Sequence, residues 1–154
     1  MDKLSHKRSH RTAVWTPKRN YMTPCARVGR SAENLTVFYL MAHGWTIHGR
    51  NYETLRGEID IIAYKMDADL RGYPTFSFIE VKARTNVHGL APEMNVTLSK
   101  QRKFTSAVRY WIGTHAHLKA VYRCDIAALV IPPKGMPHIR YIPNAFNIKA
   151  PFGW

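Results

Sequence analysis

The sequence has few cysteines, and their spacing points to neither a bridge nor a bound metal. Only Cys25 and Cys124 occur among the 154 residues, and they lie far apart in the chain. Two isolated cysteines give neither the disulfide framework of a small secreted domain nor the paired spacing of a zinc site. We therefore predict two free thiols, with Cys124 packed inside a strand, and a reducing, cytoplasmic location.

Long apolar segments are also missing from the chain. No run of residues approaches the ~20 apolar positions that a membrane-spanning helix needs, and the first residues lack the apolar core of a secretory signal. There is no glycine-rich phosphate loop either. We therefore predict no membrane-spanning segment and no membrane partner, and nucleotide binding has no anchor in the sequence.

Acidic residues are scarce relative to basic ones. The chain carries 23 Lys and Arg against 10 Asp and Glu, which gives a formal net charge of +13. Nucleic acid is the obvious polyanionic partner, because Lys and Arg neutralise phosphates and release their counterions. A basic membrane-surface protein or a ribosome-associated protein could carry the same charge. The charge favours nucleic acid over these two alternatives.

The length suits one domain with one hydrophobic core, but the charge is unevenly distributed. Residues 1–30 hold eight Lys or Arg against Asp2 alone. We predict a basic, flexible arm over residues 1–28, one domain over residues 29–146 and a short tail over residues 147–154. The arm would either lie along a phosphate backbone or remain a solvated tail.

Two short runs of β-branched and aromatic residues carry ionisable side chains where a plain strand would have none. They cover residues 56–64 and 76–84, and the Asp, Gly and Pro-rich segment between them predicts an antiparallel hairpin. Side chains alternate along a strand, so each run has two faces. In the first strand, one predicted face holds Glu58, Asp60 and Ile62, and the other holds Ile59, Ile61 and Ala63. In the second strand, one face holds Phe78, Glu80 and Lys82, and the other holds Ile79, Val81 and Ala83.

Three carboxylates and one ammonium would converge if the polar faces of the two strands coincide. Carboxylates brought close together repel one another, and a desolvated anion is costly unless it is paired or bound to a cation. A divalent ion such as Mg²⁺ compensates this cost, because it takes oxygen ligands and keeps waters for a substrate phosphate. The ion lowers the pKa of a bound water, and a nearby lysine can hold the phosphate. Asp60, Glu80 and Lys82 therefore suit the hydrolysis of a phosphodiester.

The remaining periodicity predicts two helices and three further strands. A first helix would run from Ser31, as its cap, to about Ala42, with Glu33 in its first turn, and a second would begin at Thr97 or Ser99. The order α-β-β-β-α-β-β predicts an α/β fold with a mixed central sheet. The three further strands cover residues 45–51, 121–131 and 138–142.

Asp60 followed by Glu80-Val81-Lys82 resembles the PD-(D/E)xK nuclease motif, with Ile59 in place of the motif's proline. More closely, the segments 57–60 and 80–84 resemble the YraN family of small bacterial proteins, which are similar to archaeal Holliday-junction resolvases. The resemblance spans roughly residues 29–146. It also takes in Ala32-Glu33, Asn51, Gly89, Lys100-Gln101-Arg102, Arg123-Cys124-Asp125 and Asn144-Ala145-Phe146.

This resemblance implies a restriction-endonuclease-like core and an endonuclease that depends on Mg²⁺ or Mn²⁺ and acts on DNA, branched DNA included. Asp60, Glu80 and the backbone carbonyl of Val81 would hold the metal. Lys82 would steady the attacking hydroxide or the phosphate. Because cutting a junction needs two sites, the resemblance also implies a homodimer.

Further residues would surround this centre. Glu33 and Glu58 would add outer-sphere or second-metal contacts. Arg56 and Arg84 flank the charged end of the hairpin and could hold DNA phosphates, and a loop over residues 85–95, with His88 and Gly89, would overhang the site. Cations at the start of the second helix would join its N-terminal amides in favouring phosphate. These helical residues are Lys100, Gln101 and Arg102.

Structural roles compete with these assignments. Glu33 could merely complement the dipole of its helix. Glu80 and Lys82 could be a pair on a solvated strand edge, and we interpret Arg123 and Asp125 as a structural pair. Two functions therefore stay open: a metal-dependent endonuclease, or a non-catalytic nucleic-acid-binding or assembly protein that keeps the nuclease fold.

Overall fold

Two helices and five strands make up the part of the chain that the structure describes. The computed structural model describes residues 23–66, 72–85 and 97–148. The order of elements is α-β-β-β-α-β-β, which confirms the predicted α/β fold. The elements are α1 (Pro24–Ala42), β1 (Thr46–Thr54), β2 (Gly57–Met66), β3 (Pro74–Arg84), α2 (Leu98–Thr114), β4 (Val121–Val130) and β5 (His138–Phe146).

Helix α1 begins earlier than the sequence predicted. Thr23 is its N-cap, and the Thr23 hydroxyl accepts a backbone N–H of the first turn at 3.2 Å. Pro24 fills the first helical position, where a backbone N–H would have no partner within the helix, so the missing N–H of proline costs no hydrogen bond. The prediction of Ser31 as the cap was therefore wrong. Residues 24–28, which fall within the predicted N-terminal arm, belong to the helix, and residues 1–22 lie outside the described residues.

The strands form one mixed sheet in the order β1-β2-β3-β4-β5. The antiparallel hairpin predicted between β2 and β3 is confirmed, and β1 adds to it in the same sense. Helix α2 then crosses over to place β4 parallel to β3, and β5 returns antiparallel to β4. Strand β3 is therefore central, with partners on both edges. The predicted loop over 85–95 lies, beyond Thr85, outside the described residues.

Strands β1 and β5 extend further along the chain than predicted, and each contains an asparagine in a left-handed conformation. Strand β1 continues past Asn51, whose φ is 51°, and β5 continues past Ile142 to include Asn144, whose φ is 53°. Asparagine is a frequent turn residue because it tolerates this conformation. The sequence pattern therefore indicated a strand end at positions where the strand continues.

The helices pack on opposite faces of the sheet. Helix α2, which is capped by Thr97, one of its two predicted starts, packs on one face and α1 on the other. Neither is long and apolar enough to cross a membrane, and no other helix occurs in the described ranges. The α2 face buries Ile59, Ile62, Phe76, Phe78, Phe104, Ala107, Val108, Trp111 and Cys124, and the α1 face buries Ala32, Leu40, Ile61, Ala63, Ile79, Ala127 and Leu129.

The turn between β1 and β2 is held against α2. A Cβ added at Gly57, whose φ is 152°, would lie 2.4 Å from the backbone carbonyl oxygen of Lys103. Only glycine allows the turn and the helix to approach this closely. The hydroxyl of Thr54 also accepts the backbone N–H groups of Arg56 and Gly57 at 3.0 and 3.1 Å. The position of this turn on α2 is therefore closely defined.

A buried carboxylate connects β3, β4 and β5. Asp125 is fully buried, and its Oδ2 accepts hydrogen bonds from the hydroxyls of Ser77 and Tyr141 and from Nε of Arg123 at 2.9 Å. Its Oδ1 accepts the backbone N–H of Asn144 at 2.9 Å. The predicted structural pair of Arg123 and Asp125 is therefore confirmed, as part of a larger network.

Candidate active site

The hydrogen-bonded ladder between β2 and β3 ends next to the predicted carboxylates. The last paired positions are Ile61 and Ile79. At the next position Oδ2 of Asp60 accepts the backbone N–H of Val81 at 2.7 Å. The N–H and C=O of one strand residue point toward the same neighbouring strand, so the Val81 carbonyl faces this opening as well. The strands therefore separate beside Asp60 and Glu80.

The alternation of side chains is interrupted at Asp60, so the predicted faces of β2 were wrong. Ile59 and Ile62 both pack toward α2, whereas Ile61 packs toward α1. The Asp60 side chain opens on the α1 side and shares no face with Ile62. Asn51, whose backbone is left-handed, lies between the β1 residues that pair with Ile59 and Ile61, so it faces the place where the alternation is interrupted.

Glu80 and Lys82 form an ion pair in which Nζ of Lys82 donates to Oε1 of Glu80. Their side chains are only 12% and 20% exposed, respectively, and β3 is a central strand. The interpretation of the two residues as a pair on a solvated edge is therefore wrong. A largely buried pair at a strand opening is costly to desolvate, which makes a structural role alone a poor explanation.

Asp60 lines a depression of about 370 Å³ between the first half of α1 and the ends of β2 and β3. Part of its wall comes from residues that the sequence assigned to the arm. The Thr23-Pro24 pair, a common start of a helix, is the sequence signal that could have placed them there. The lining residues are Pro24, Cys25, Val28, Gly29, Glu33, Asp60, Val81, Ala83, Arg84 and Thr85.

Glu33 lies in the third turn of α1, because the helix begins at Pro24 and has no acid in its first turn. The helix-dipole interpretation of Glu33 was therefore wrong. Its Oε2 accepts hydrogen bonds from Nη2 of Arg50 and Nδ2 of Asn51, each at 3.2 Å, and Arg50 also donates to Oδ1 of Asn34 at 2.9 Å. Sequence reasoning had not singled out Arg50. Glu33 thus joins α1 to β1 at the rim of the depression.

Burial makes Asp60 an unusual carboxyl group. Desolvation, followed by the charge of Glu80, raises its pKa from 3.8 to about 7. The N–H of Val81 and the ammonium of Lys82 act in the opposite direction, and Glu33 adds a smaller upward effect. Asp60 therefore carries its proton for a large fraction of the time at neutral pH, and a cation bound beside it would release that proton.

The available donors fit a hard divalent cation. Within the described ranges, the Val81 N–H is the sole hydrogen-bond partner of Asp60, and its Oδ1 has none. In the same ranges no three His, Cys, Asp or Glu side chains lie close enough to hold a metal between them. Mg²⁺ commonly binds through one or two carboxylates and keeps several waters. Asp60 and Val81 line the depression, whereas Glu80 does not and acts on Asp60 through its charge from the adjacent strand. A cation at the strand opening would take its oxygen ligands from Asp60, Glu80 and the Val81 carbonyl.

The other predicted site residues are divided between the two faces of the sheet. Arg84 lines the depression with Asp60, whereas Arg56 lines a different depression beside α2. Glu58 is exposed opposite Glu53 and is not among the charges that act on Asp60. The remaining three occupy the first turns of α2 and line neither depression: Lys100, Gln101 and Arg102.

Replacing Asn51 by valine is expected to lower the free energy of unfolding by about 2–3 kcal/mol, because a β-branched residue strongly disfavours a positive φ and the bond to Glu33 is lost. Asn51→Gly keeps the backbone conformation and loses only the amide, so its cost should be nearer 1 kcal/mol. Urea unfolding of both variants measures the difference. Equal losses would contradict a special role for the left-handed backbone.

Related proteins align with the part of the chain that contains the candidate site. The model of the Uncharacterised protein family UPF0102 matches residues 32–129. A UPF0102 protein of Geobacter metallireducens is 37% identical over 121 residues, which cover 79% of this chain and 93% of the relative. One of Rhodopseudomonas palustris is 39% identical over 122 residues, covering 79% and 84%. The chain therefore belongs to the UPF0102 family, which is the YraN family that its sequence resembles.

Proposed function

We propose that this protein is a metal-dependent endonuclease that hydrolyses phosphodiester bonds in DNA, including branched DNA. The observation that carries the proposal is the buried carboxyl of Asp60 at the opening between β2 and β3, with its raised pKa and a single hydrogen bond. Strongly perturbed ionisable groups in a depression are typical of functional sites. The charges of Glu80 and Lys82, on the adjacent strand, act on Asp60, although neither residue lines the depression.

Each residue has a role in this proposal. Asp60, Glu80 and the Val81 carbonyl would hold Mg²⁺ or Mn²⁺. When bound, the ion supplies positive charge at the scissile phosphate and lowers the pKa of a coordinated water. Lys82 would hold the phosphate or the attacking hydroxide, since its ammonium is a point charge positioned by the bond to Glu80. Arg84, on the wall of the depression, would contact the substrate backbone.

The substrate class is inferred from charge and from the family resemblance. A formal net charge of +13 supports a polyanionic substrate. The resemblance to junction resolvases supports branched DNA, and a homodimer would supply two sites for paired cuts. Glu33 would contact a water or the metal from α1, since it lines the same depression and adds to the field at Asp60.

Lys82→Ala is expected to slow cleavage about a hundredfold or more, because it removes a positioned positive charge from the reacting phosphate. The assay uses labelled linear, flapped and four-way DNA and single-stranded RNA with Mn²⁺, Mg²⁺ or EDTA. Lys134→Ala is the matched control, since Lys134 is an exposed cation in the turn between β4 and β5. The proposal fails if the unaltered protein cuts none of these substrates with either metal.

A non-catalytic nucleic-acid-binding or assembly protein is the second candidate. Two observations favour it. The ion pair with Lys82 engages Glu80, which is one of the proposed metal ligands. In the described ranges, no cluster of three metal-binding side chains occurs. This candidate predicts salt-dependent binding without cleavage, and binding that Lys82→Ala leaves unchanged. The same set of labelled substrates therefore separates the two functions.

A further inference from the structure

A second depression lies on the opposite face of the sheet from Asp60. It measures about 580 Å³ and is open to solvent between the β1–β2 turn and the outer surface of α2. None of the described residues that line it is acidic. Its lining residues are Arg56, Ser106, Arg109, Tyr110, Gly113 and Thr114.

The backbone on both sides of this depression is well defined. On one side, Gly57 packs against the carbonyl of Lys103, and Thr54 holds the turn that carries Arg56. On the other side, Arg109 belongs to the fourth turn of α2, a helix whose inner residues are buried in the core. Because little of this backbone has to become ordered when a ligand binds, binding here has a smaller cost in conformational entropy.

Among the described residues of this surface, every charged side chain is positive. Helix α2 contains four Lys or Arg and no Asp or Glu. Within the described ranges, neither Arg56 nor Arg109 forms an ion pair. The nearest acids along the chain, Glu53 and Glu58, pair with each other in the β1–β2 register. They alternate to the other face of the hairpin, since their neighbours pack toward α2.

We propose that Arg56, Arg109, Ser106 and Tyr110, here called the α2 basic surface, bind the backbone of a second nucleic-acid segment while the Asp60 depression holds the segment to be cut. Guanidinium groups bind phosphate oxygens through paired donors, and a serine hydroxyl can add a further bond. Tyr110 is 47% exposed, so its ring can stack on a base. This inference rests on the proposed function for the nature of the ligand.

An acidic protein would match the same charge, but nucleic acid is the better match. The surface combines guanidinium groups with an exposed aromatic ring, the pairing that serves both phosphate and base. The whole chain is strongly cationic as well. The location explains why the partner should be a second segment: the sheet and its core separate this surface from the Asp60 depression.

Arg109→Ala and Arg56→Ala test this inference in binding experiments with EDTA present, which prevents cleavage. Fluorescence anisotropy with labelled four-way and linear DNA gives the affinity at several salt concentrations. Each substitution should weaken binding about tenfold and lower the slope of log K against log salt by about 0.9, because each removes one phosphate contact. Tyr110→Ala should weaken binding about fivefold without changing the slope, because stacking releases no counterion.

Lys134→Ala is again the control, because it removes one exposed positive charge elsewhere and should change the affinity less than twofold. Wild-type affinity and slope in Arg109→Ala would overturn the inference and leave the surface to an acidic protein. The nuclease proposal fails separately, through absent cleavage in the unaltered protein. If cleavage is absent while Arg109→Ala still lowers the salt slope, the α2 basic surface stands and the enzymatic function does not.

Discussion

Replacing Asp60 by asparagine is expected to raise the free energy of unfolding by about 4 kcal/mol at pH 8 and by less than about 1 kcal/mol at pH 4. Asparagine has the shape of the carboxyl group but carries no charge, and its side-chain oxygen can still accept the N–H of Val81. The desolvation of a carboxylate is thereby avoided. A gain of this size from a single buried substitution is uncommon.

The dependence on pH follows from the pKa of Asp60 in the folded and unfolded states. The pKa is about 7 in the folded protein against 3.8 for the exposed group. Between these values the folded state binds more protons, so stability falls as the pH rises. The contribution of protonated Asp60 is fully present below about pH 4 and is lost as the pH passes through 7.

Urea unfolding at pH 4, 6 and 8 measures this effect, with Glu53→Gln as a control on an exposed strand position, where the change should stay within about 0.5 kcal/mol. Adding Mn²⁺ at pH 8 should stabilise the unaltered protein and not Asp60→Asn. The same substitution should abolish cleavage, so the more stable protein is the inactive one. A loss of stability in Asp60→Asn at pH 8 would refute the account of Asp60 as a destabilising charge.

Replacing Asp125 by alanine is expected to lower the free energy of unfolding by about 3–5 kcal/mol. The substitution leaves an arginine, two hydroxyls and a backbone N–H without their shared acceptor inside the protein. Burial and the Asp125 carboxylate hold the pKa of Tyr141 well above its usual range, so that hydroxyl remains a donor and keeps only its contact with the Ser77 hydroxyl at 3.1 Å. The network joins three strands, and its loss should loosen β5 first.

Tyr141→Phe is the graded companion to Asp125→Ala, since it removes one donor and keeps the ring. Tyr141→Phe should lower the free energy of unfolding by about 1–1.5 kcal/mol. Thermal or urea unfolding gives both values, and hydrogen exchange of the β5 amides reports where the structure opens. If Asp125→Ala cost no more than Tyr141→Phe, the carboxylate would not be the organising member of the network.

Much of this fold could be predicted from the sequence because local patterns determined it. The β-branched runs of β2 and β3, separated by a turn-rich segment, indicated a hairpin. The apolar stripe of α2 and its cap at Thr97 indicated a helix with one buried face. The paired Arg123 and Asp125 followed from their spacing on one strand. Each of these features depends on residues within a few positions of each other.

The geometry of the candidate site could not be predicted in the same way, because it depends on contacts between distant segments. The alternation of side chains along β2 is interrupted at Asp60, which faces the left-handed Asn51 of another strand. The wall of its depression depends on where α1 begins, and the Thr23-Pro24 start was obscured by the basic composition around it. Arg56 and Arg84 line different depressions because the β1–β2 turn, which carries Arg56, packs against α2.

The central place of β3 has a consequence for biosynthesis. The residues of β3 that pair first with β4 are buried from Thr75 to Ile79, yet β4 is synthesised only after the whole of α2. Until then the growing chain presents an uncovered edge of buried-type sequence, which is the kind of surface that recruits strands from other chains. Slowing translation between β3 and β4 should therefore increase aggregation of this protein more than slowing it after β4.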